Sequence, residues 1–201
     1  KARKHQAIGL YVPFWTFDAA TRSRWTAEAG HRRGSGKNAR IEWRRAAGSL
    51  DHTFDDLPVA GSRGIDPTLA LQLEPFPTAE LVAYDPSYLS GFLAEEYGIQ
   101  LDRAWATARE RMKATLRAAC RAEVPGELCR NLEVETEWSD LTCKSGLLPI
   151  WISAYRYQGR SYHYAVNGVT GRATGTAPWS WLKIGLAVGV VIVLLGLLLG
   201  R

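Results

Sequence analysis

Seventeen consecutive residues, Ile184 to Gly200, carry no polar side chain and lie between Lys183 and Arg201. A helix that is apolar all round has to be buried, either in a large core or in lipid, so this run restricts the fold more than any other stretch. At about 1.5 Å per residue it spans roughly 26 Å, the lower edge of what a bilayer's hydrocarbon core requires. Trp179 and Trp181 suit the headgroup layer, and Lys183 and Arg201 can snorkel outward from the two ends. The sequence therefore predicts a single transmembrane anchor with flanks over 179–201, a tail anchor whose first partner is the lipid bilayer. Gly185, Gly189, Gly196 and Gly200 fall within about 60° on one helix face. Such a stripe lets membrane helices approach closely, so a second copy or another membrane helix is an expected partner. The chain has 25 Lys and Arg against 20 Asp and Glu, a formal charge of +5. A basic domain with Lys183 at the entrance of the span fits the positive-inside rule, with that domain in the cytoplasm.

The remaining residues, about 180 of them, are enough to enclose a sizeable core. Mean hydropathy is −0.17 even with the apolar tail included, which leaves the rest with ordinary globular character. The first thirty residues hold no apolar h-region of a secretory signal. Cys120, Cys129 and Cys143 are odd in number and form no C-x-x-C pair, which argues for a reducing compartment and against a zinc site within this stretch. Position 1 is Lys, so the chain is expected to begin partway into a longer protein.

An internal likeness organises what is left. Gly9-Leu10-Tyr11-Val12-Pro13-Phe14-Trp15 returns as Gly146-Leu147-Leu148-Pro149-Ile150-Trp151, and both copies read as β. After the first come three strand-like pieces, 16–19, 24–28 and 40–44. After the second come 153–157, a Gln158-Gly159 turn, 161–166, an Asn167-Gly168 turn and a short piece at 172–174; Asn-Gly between alternating runs is a strong hairpin signal. Tyr155, Tyr157, Tyr162 and Tyr164 recur every second residue, giving each arm an aromatic face. Between the β regions the period changes. Asp85-Pro86 predicts an N-cap and first helical position, opening a short helix to about Tyr97. Asp102 predicts the cap of a longer helix in which Trp105, Ala108, Met112, Leu116 and Ala119 form the apolar face, ended by Pro125-Gly126. Leu132, Val134, Thr136 and Trp138 alternate with Glu133, Glu135 and Glu137 as a half-buried strand with an acidic outer face. The expected architecture is α+β: a first β module over 1–75, a helix pair over 76–127, a second β module over 128–178 and the membrane anchor over 179–201.

Few constellations carry chemistry. Gly34-Ser35-Gly36-Lys37 fails as a phosphate loop, since the pattern needs glycine where His31 stands and Ser or Thr where Asn38 stands. Gly34-x-Gly36-x-x-Ala39 precedes a strand rather than a helix and fails as a dinucleotide fingerprint. A hairpin tip explains both. Asp51, His52, Asp55 and Asp56 place three carboxylates and an imidazole within six residues. That set makes His52, Asp55 and Asp56 weak candidates for a divalent metal or for acid–base work, although turn-forming aspartates at a strand end are the commoner cause. No catalytic residue is assigned. Arg44, Arg45 and the arginines of the 102–122 helix offer contacts for anionic headgroups or nucleic acid.

In combination, Tyr11-Val12-Pro13-Phe14-Trp15-Thr16-Phe17-Asp18-Ala19, Phe54-Asp55-Asp56, Tyr88-Leu89-Ser90-Gly91-Phe92, the run Leu148 to Tyr157, Val166-Asn167-Gly168-x-Thr170-Gly171 and Pro178-Trp179-Ser180 resemble a bacterial family of membrane-anchored proteins with an N-terminal zinc ribbon. Members bear labels such as primosomal protein N-prime, replication factor Y and superfamily II helicase. The resemblance implies zinc in a ribbon upstream of Lys1 and no cofactor in this chain. Its helicase label finds no phosphate loop and no motor-sized core in 201 residues. The segment Val166 to Gly171 also resembles the strand-turn ending of small peptidase-propeptide-like modules, which implies a binding domain. The expected function is a non-enzymatic, cytoplasm-facing binding or scaffold domain. The alternatives are a membrane-associated nucleic-acid-binding protein, using the ribbon and the arginine helix, and a metal-dependent enzyme built on Asp51 to Asp56.

Overall fold

The computed structural model describes residues 3–4, 7–34, 40–157 and 159–175. In chain order the strands are β1 (Arg3–Lys4), β2 (Ile8–Arg33), β3 (Arg40–Ala60), β4 (Leu93–Ala94), β5 (Leu128–Tyr157), β6 (Arg160–Asn167) and β7 (Ala173–Gly175). The helices are α1 (Pro67–Gln72) and α2 (Leu101–Glu123). All seven strands join one sheet, ordered β3-β2-β5-β6-β7, with β1 on β5 and β4 on β2. Every pairing is antiparallel except the short β2–β4 contact.

The two alike segments are each other's partners. Gly9 lies opposite Trp151, Val12 opposite Leu148 and Phe14 opposite Gly146 in the β2–β5 ladder. Strands β2 and β5 run without a break through the whole sheet, so the expected pair of β modules flanking a helix pair is corrected to one continuous sheet. The pieces expected at 16–19 and 24–28 belong to the single strand β2, and the likeness of the segments reflects a shared environment on neighbouring strands.

Because side chains alternate across a strand, β2 sends odd and even residues to opposite faces. On the odd face Phe17 and Ala19 pack against Ala104, Ala108, Met112 and Leu116 of α2, while Trp25, Ala27 and Ala29 pack with Cys120 and Val124. On the even face Val12 and Phe14 pack with Ala70 of α1 and with Leu73 and Phe76 beyond it. Farther along that face Arg22, Arg24 and Thr26 are exposed, so the remote part of the sheet has one covered and one open side. The open side is laced by ion pairs, Arg22–Asp51 at 2.8 Å, Arg24–Glu137 at 2.5 Å and Arg130–Glu28 at 2.5 Å. These pairs are exposed and contribute little each.

Helix α2 follows the period read from sequence, with Ala104, Ala108, Met112, Leu116 and Cys120 buried at four-residue spacing. Gln100 occupies its N-cap and makes no side-chain cap bond, while Asp102 lies in the first turn. The helix expected from Asp85 is one 3-10 turn, Pro86–Leu89, capped by Asp85 as predicted. Beyond it the chain runs extended into β4, so the helix pair is corrected to one long helix and an irregular strap.

The expected membrane anchor is corrected as well. Among the described residues no helix is long and apolar enough to cross a membrane. The longest, α2, carries Arg103, Arg109, Arg111, Lys113, Arg117 and Arg121 along its length. Ile184 to Gly200, the glycines 185, 189, 196 and 200, and Trp179, Trp181, Lys183 and Arg201 lie outside the described residues. The single-pass, tail-anchored reading and the cytoplasm-facing topology derived from it are therefore not carried further.

Candidate binding groove and acidic bulge

The strap from Pro77 to Tyr97 begins on the even face, where Leu81 lies over Gly146, the partner of Phe14, and ends on the odd face at Phe92 and Tyr97, leaving a groove of about 680 Å3 beside it. Its floor is Tyr11 together with Ser145 to Pro149 of β5, and its wall is Leu81 to Tyr84 with Tyr88. Tyr97 fixes the strap to the sheet: its ring lies 4.8 Å from that of Trp15, and its hydroxyl reaches the Phe14 carbonyl at 3.2 Å and the Gly146 carbonyl at 3.3 Å. Burial pushes the Tyr97 phenol above its ordinary range. Farther along, Phe92 wedges between Tyr11 and Trp151 at ring distances of 5.2 and 5.4 Å. Gly9 lies beneath that ring, where an added Cβ would collide with Phe92. The strap is thus anchored at Phe92 and Tyr97. Between Leu81 and Tyr88 it is open to solvent, with Val82, Tyr84 and Tyr88 each more than half exposed. The charged side chains lining the groove among the described residues are Glu80 and Glu95.

A second feature lies where bulges in β3 and β5 flank Asp18 of β2. Residues Asp55 and Asp56 share the place opposite Asp18, and Asp140 and Leu141 interrupt the ladder on the other side. Asp56 and Asp140 take positive φ, 50° and 51°, a region that aspartate tolerates better than most side chains. The bulge gathers carboxylate atoms of Asp18, Asp55 and Asp56 within 4.8 Å of one another. The Lys144 ammonium already occupies this cluster, 2.8 Å from Asp56 Oδ1 and 3.8 Å from Asp18 Oδ2. Thr16 donates to Asp56 Oδ1, Thr142 donates to Asp18 Oδ2, and the Asp56 N–H donates to Asp18 Oδ1. Burial opposes ionisation of Asp56, but hydrogen bonds from Lys144, Thr78 and Thr16 outweigh it and hold the carboxyl below its ordinary range. The bond to Asp56, foremost, raises the Lys144 ammonium. The arrangement fits an internal ion pair that secures a bulge.

The sequence-expected metal set is therefore split. Asp55 and Asp56 come together with Asp18, a residue far off in sequence. His52 packs its ring 4.5 Å from Phe54, and Asp51 is held by Arg22 on the open face. Asp18 and Lys144 had no local signal, because strand pairing alone brings them to Asp56.

The chain is 26% identical over 196 residues to an uncharacterized protein, YdjG, of Bacillus subtilis (strain 168), an alignment covering 92% of this chain and 58% of that protein. The chain thus spans less than two thirds of the relative's length. No protein-family model and no solved structure matches it. The zinc-ribbon family expected from the sequence motifs, with its primosomal and helicase labels, finds no matching family model and is set aside.

Proposed function

We propose that this chain is a binding module of a non-enzymatic kind, and that its ligand site is the groove between the strap and β5. The observation that carries this reading is the concentration of exposed apolar and aromatic side chains, Leu81, Val82, Tyr84 and Tyr88, around a concave floor supplied by a rigid sheet. Ligand sites are mostly apolar concavities with a few polar groups that fix orientation, here Glu80, Glu95 and the tyrosine hydroxyls. The alternatives have less support. Of the arginines expected to meet nucleic acid, Arg44 is paired with Glu42, Arg111 with Glu74, and Arg109 lies over the Trp138 ring, which weakens such a surface, and the carboxylate cluster that a metal-dependent enzyme would use is occupied by Lys144.

Selection from a random peptide library displayed on phage tests the reading. The expected result is enrichment of peptides with apolar or aromatic anchors, lost on a Val82→Ser, Tyr84→Ser variant. Enrichment that survives this variant, or no enrichment on the parent, removes the groove as the site.

A further inference from the structure

The two long edges of the sheet are treated differently. Among the described residues no strand pairs with the outer side of β5 from Leu128 to Leu148, and the next carbonyl, that of Pro149, accepts from the Gly168 N–H. This edge is blunted twice. Bulges at Asn131 and Asp140 break it, each with a residue at positive φ, and Glu133, Glu135 and Glu137 set like charges along it. Bulges and charge are the usual devices against edge-to-edge pairing. Among the described residues the outer edge of β3 is covered at its root, where Pro58 stands and its carbonyl accepts from Arg111, and beyond it carries charges of both signs rather than one. From Arg40 to Phe54 it pairs residue for residue with β2, without proline or bulge.

The direction of its free backbone groups follows from the ladder. Gly61 N–H donates to the Pro13 carbonyl, so odd residues of β2 turn their backbone groups toward β3. Their partners Arg44, Ala46, Gly48, Leu50, His52 and Phe54 turn back toward β2. The odd residues Ile41 to Thr53 of β3 therefore point N–H and C=O out of the sheet.

The charge pattern along this edge is self-complementary about Gly48. Arg45 precedes the centre and Asp51, which Arg22 of the same copy also holds, follows it, with Ala46, Ala47, Gly48, Ser49 and Leu50 between them. We propose that two copies of this chain join through their β3 edges, antiparallel about a two-fold axis at Gly48, to make one continuous sheet. In that register Ala47 faces Ser49 of the second copy and Trp43 faces Thr53, all pairs with outward backbone groups. Arg45 faces Asp51 of the second copy on the open face, and the symmetry repeats the pair, which is how an isologous interface uses each surface twice. Moving the axis by one residue to Ala47 or Ser49 sets Arg45 against Ser49 or Thr53 instead, so the charges select the register.

Sedimentation equilibrium on the full chain tests the proposal across the micromolar range. The parent is expected to be a dimer. Arg45→Asp and Asp51→Arg are each expected to weaken it about tenfold or more, since each puts two like-charged pairs across the axis. An equimolar mixture of the two variants should recover dimer, because every pair is then of opposite sign. Ala47→Pro removes an outward N–H without touching the β2 ladder, and should abolish the dimer with an unchanged far-ultraviolet spectrum. A parent that stays monomeric overturns the proposal. So do a dimer indifferent to both Arg45→Asp and Ala47→Pro, and single variants whose mixture stays monomeric.

Discussion

The Arg111 guanidinium donates to both carboxylate oxygens of Glu74 at 2.9 Å, and through them α2, above the sheet, is tied to the segment following α1 below it. The same guanidinium donates to the Pro58 carbonyl, so the clasp closes around the root of β3. Both side chains are about three-quarters buried, at 27% and 25% exposure, and removal of one partner strands the other. Arg111→Ala is therefore expected to cost about 2 kcal/mol. Urea unfolding of parent and variant measures it, and a change below about 0.5 kcal/mol would show the clasp to be ornamental.

The bulge pair gives stability a defined pH window. Asp56 has a depressed carboxyl in the folded state, so its contribution is present above the ordinary carboxylate value of about 4 and is lost as pH falls through the depressed value. Lys144 is raised, so its contribution is present below about 10.4 and is lost as pH rises through the raised value. Lys144→Met should move the Asp56 carboxyl upward in a carbon-detected NMR titration. An unmoved Asp56 would contradict the pairing.

Asn167 is fully buried, and both ends of its amide are in use. Its Nδ2 donates to the Leu73 and Pro75 carbonyls at 3.0 and 3.2 Å, and its Oδ1 accepts from the N–H groups of Val169 and Thr170. Asn167→Ala leaves the buried Leu73 carbonyl and three partly buried backbone groups short of a partner and is expected to cost about 1–3 kcal/mol, read from the urea midpoint. Asn167→Asp keeps the acceptor and loses the donors, so it should also destabilise.

With Lys144 in the carboxylate cluster, elemental analysis of the purified chain should find no stoichiometric divalent metal, and the Asp55→Ala, Asp56→Ala variant should match the parent. A metal present in the parent and absent from the variant would reverse the assignment of the cluster.

Local patterns were the legible part of this fold. The four-residue spacing of Ala108, Met112 and Leu116 placed α2 and its buried face, and Asn167-Gly168 marked a real turn. Tyr155 and Tyr162, placed on facing arms by their period of two, stack with ring centroids 5.2 Å apart. Partner choice was not legible. An alternating pattern fixes which face a residue takes and leaves open which strand lies beside it, so the likeness of Gly9–Trp15 to Gly146–Trp151 read as repetition where it marks contact. For the same reason the acidic cluster was assigned within one short segment, with Asp18 missing. The groove was hidden because Leu81 to Tyr97 carries helix-start signals at Asp85-Pro86, while Phe92 and Tyr97 find better burial against Tyr11 and Trp15 in an extended strap.

The shared strands also set an order of events as the chain is made. Strand β2 is synthesised early, yet its partner on the β5 side comes more than a hundred residues later, with Gly9 waiting for Trp151. Until then the β2–β3 hairpin stands with an apolar face and an unpaired flank, and contacts so distant along the chain close slowly. Neither half of the sheet can be finished first, so a nascent chain stopped before β5 is expected to be recognised by chaperones as unfinished.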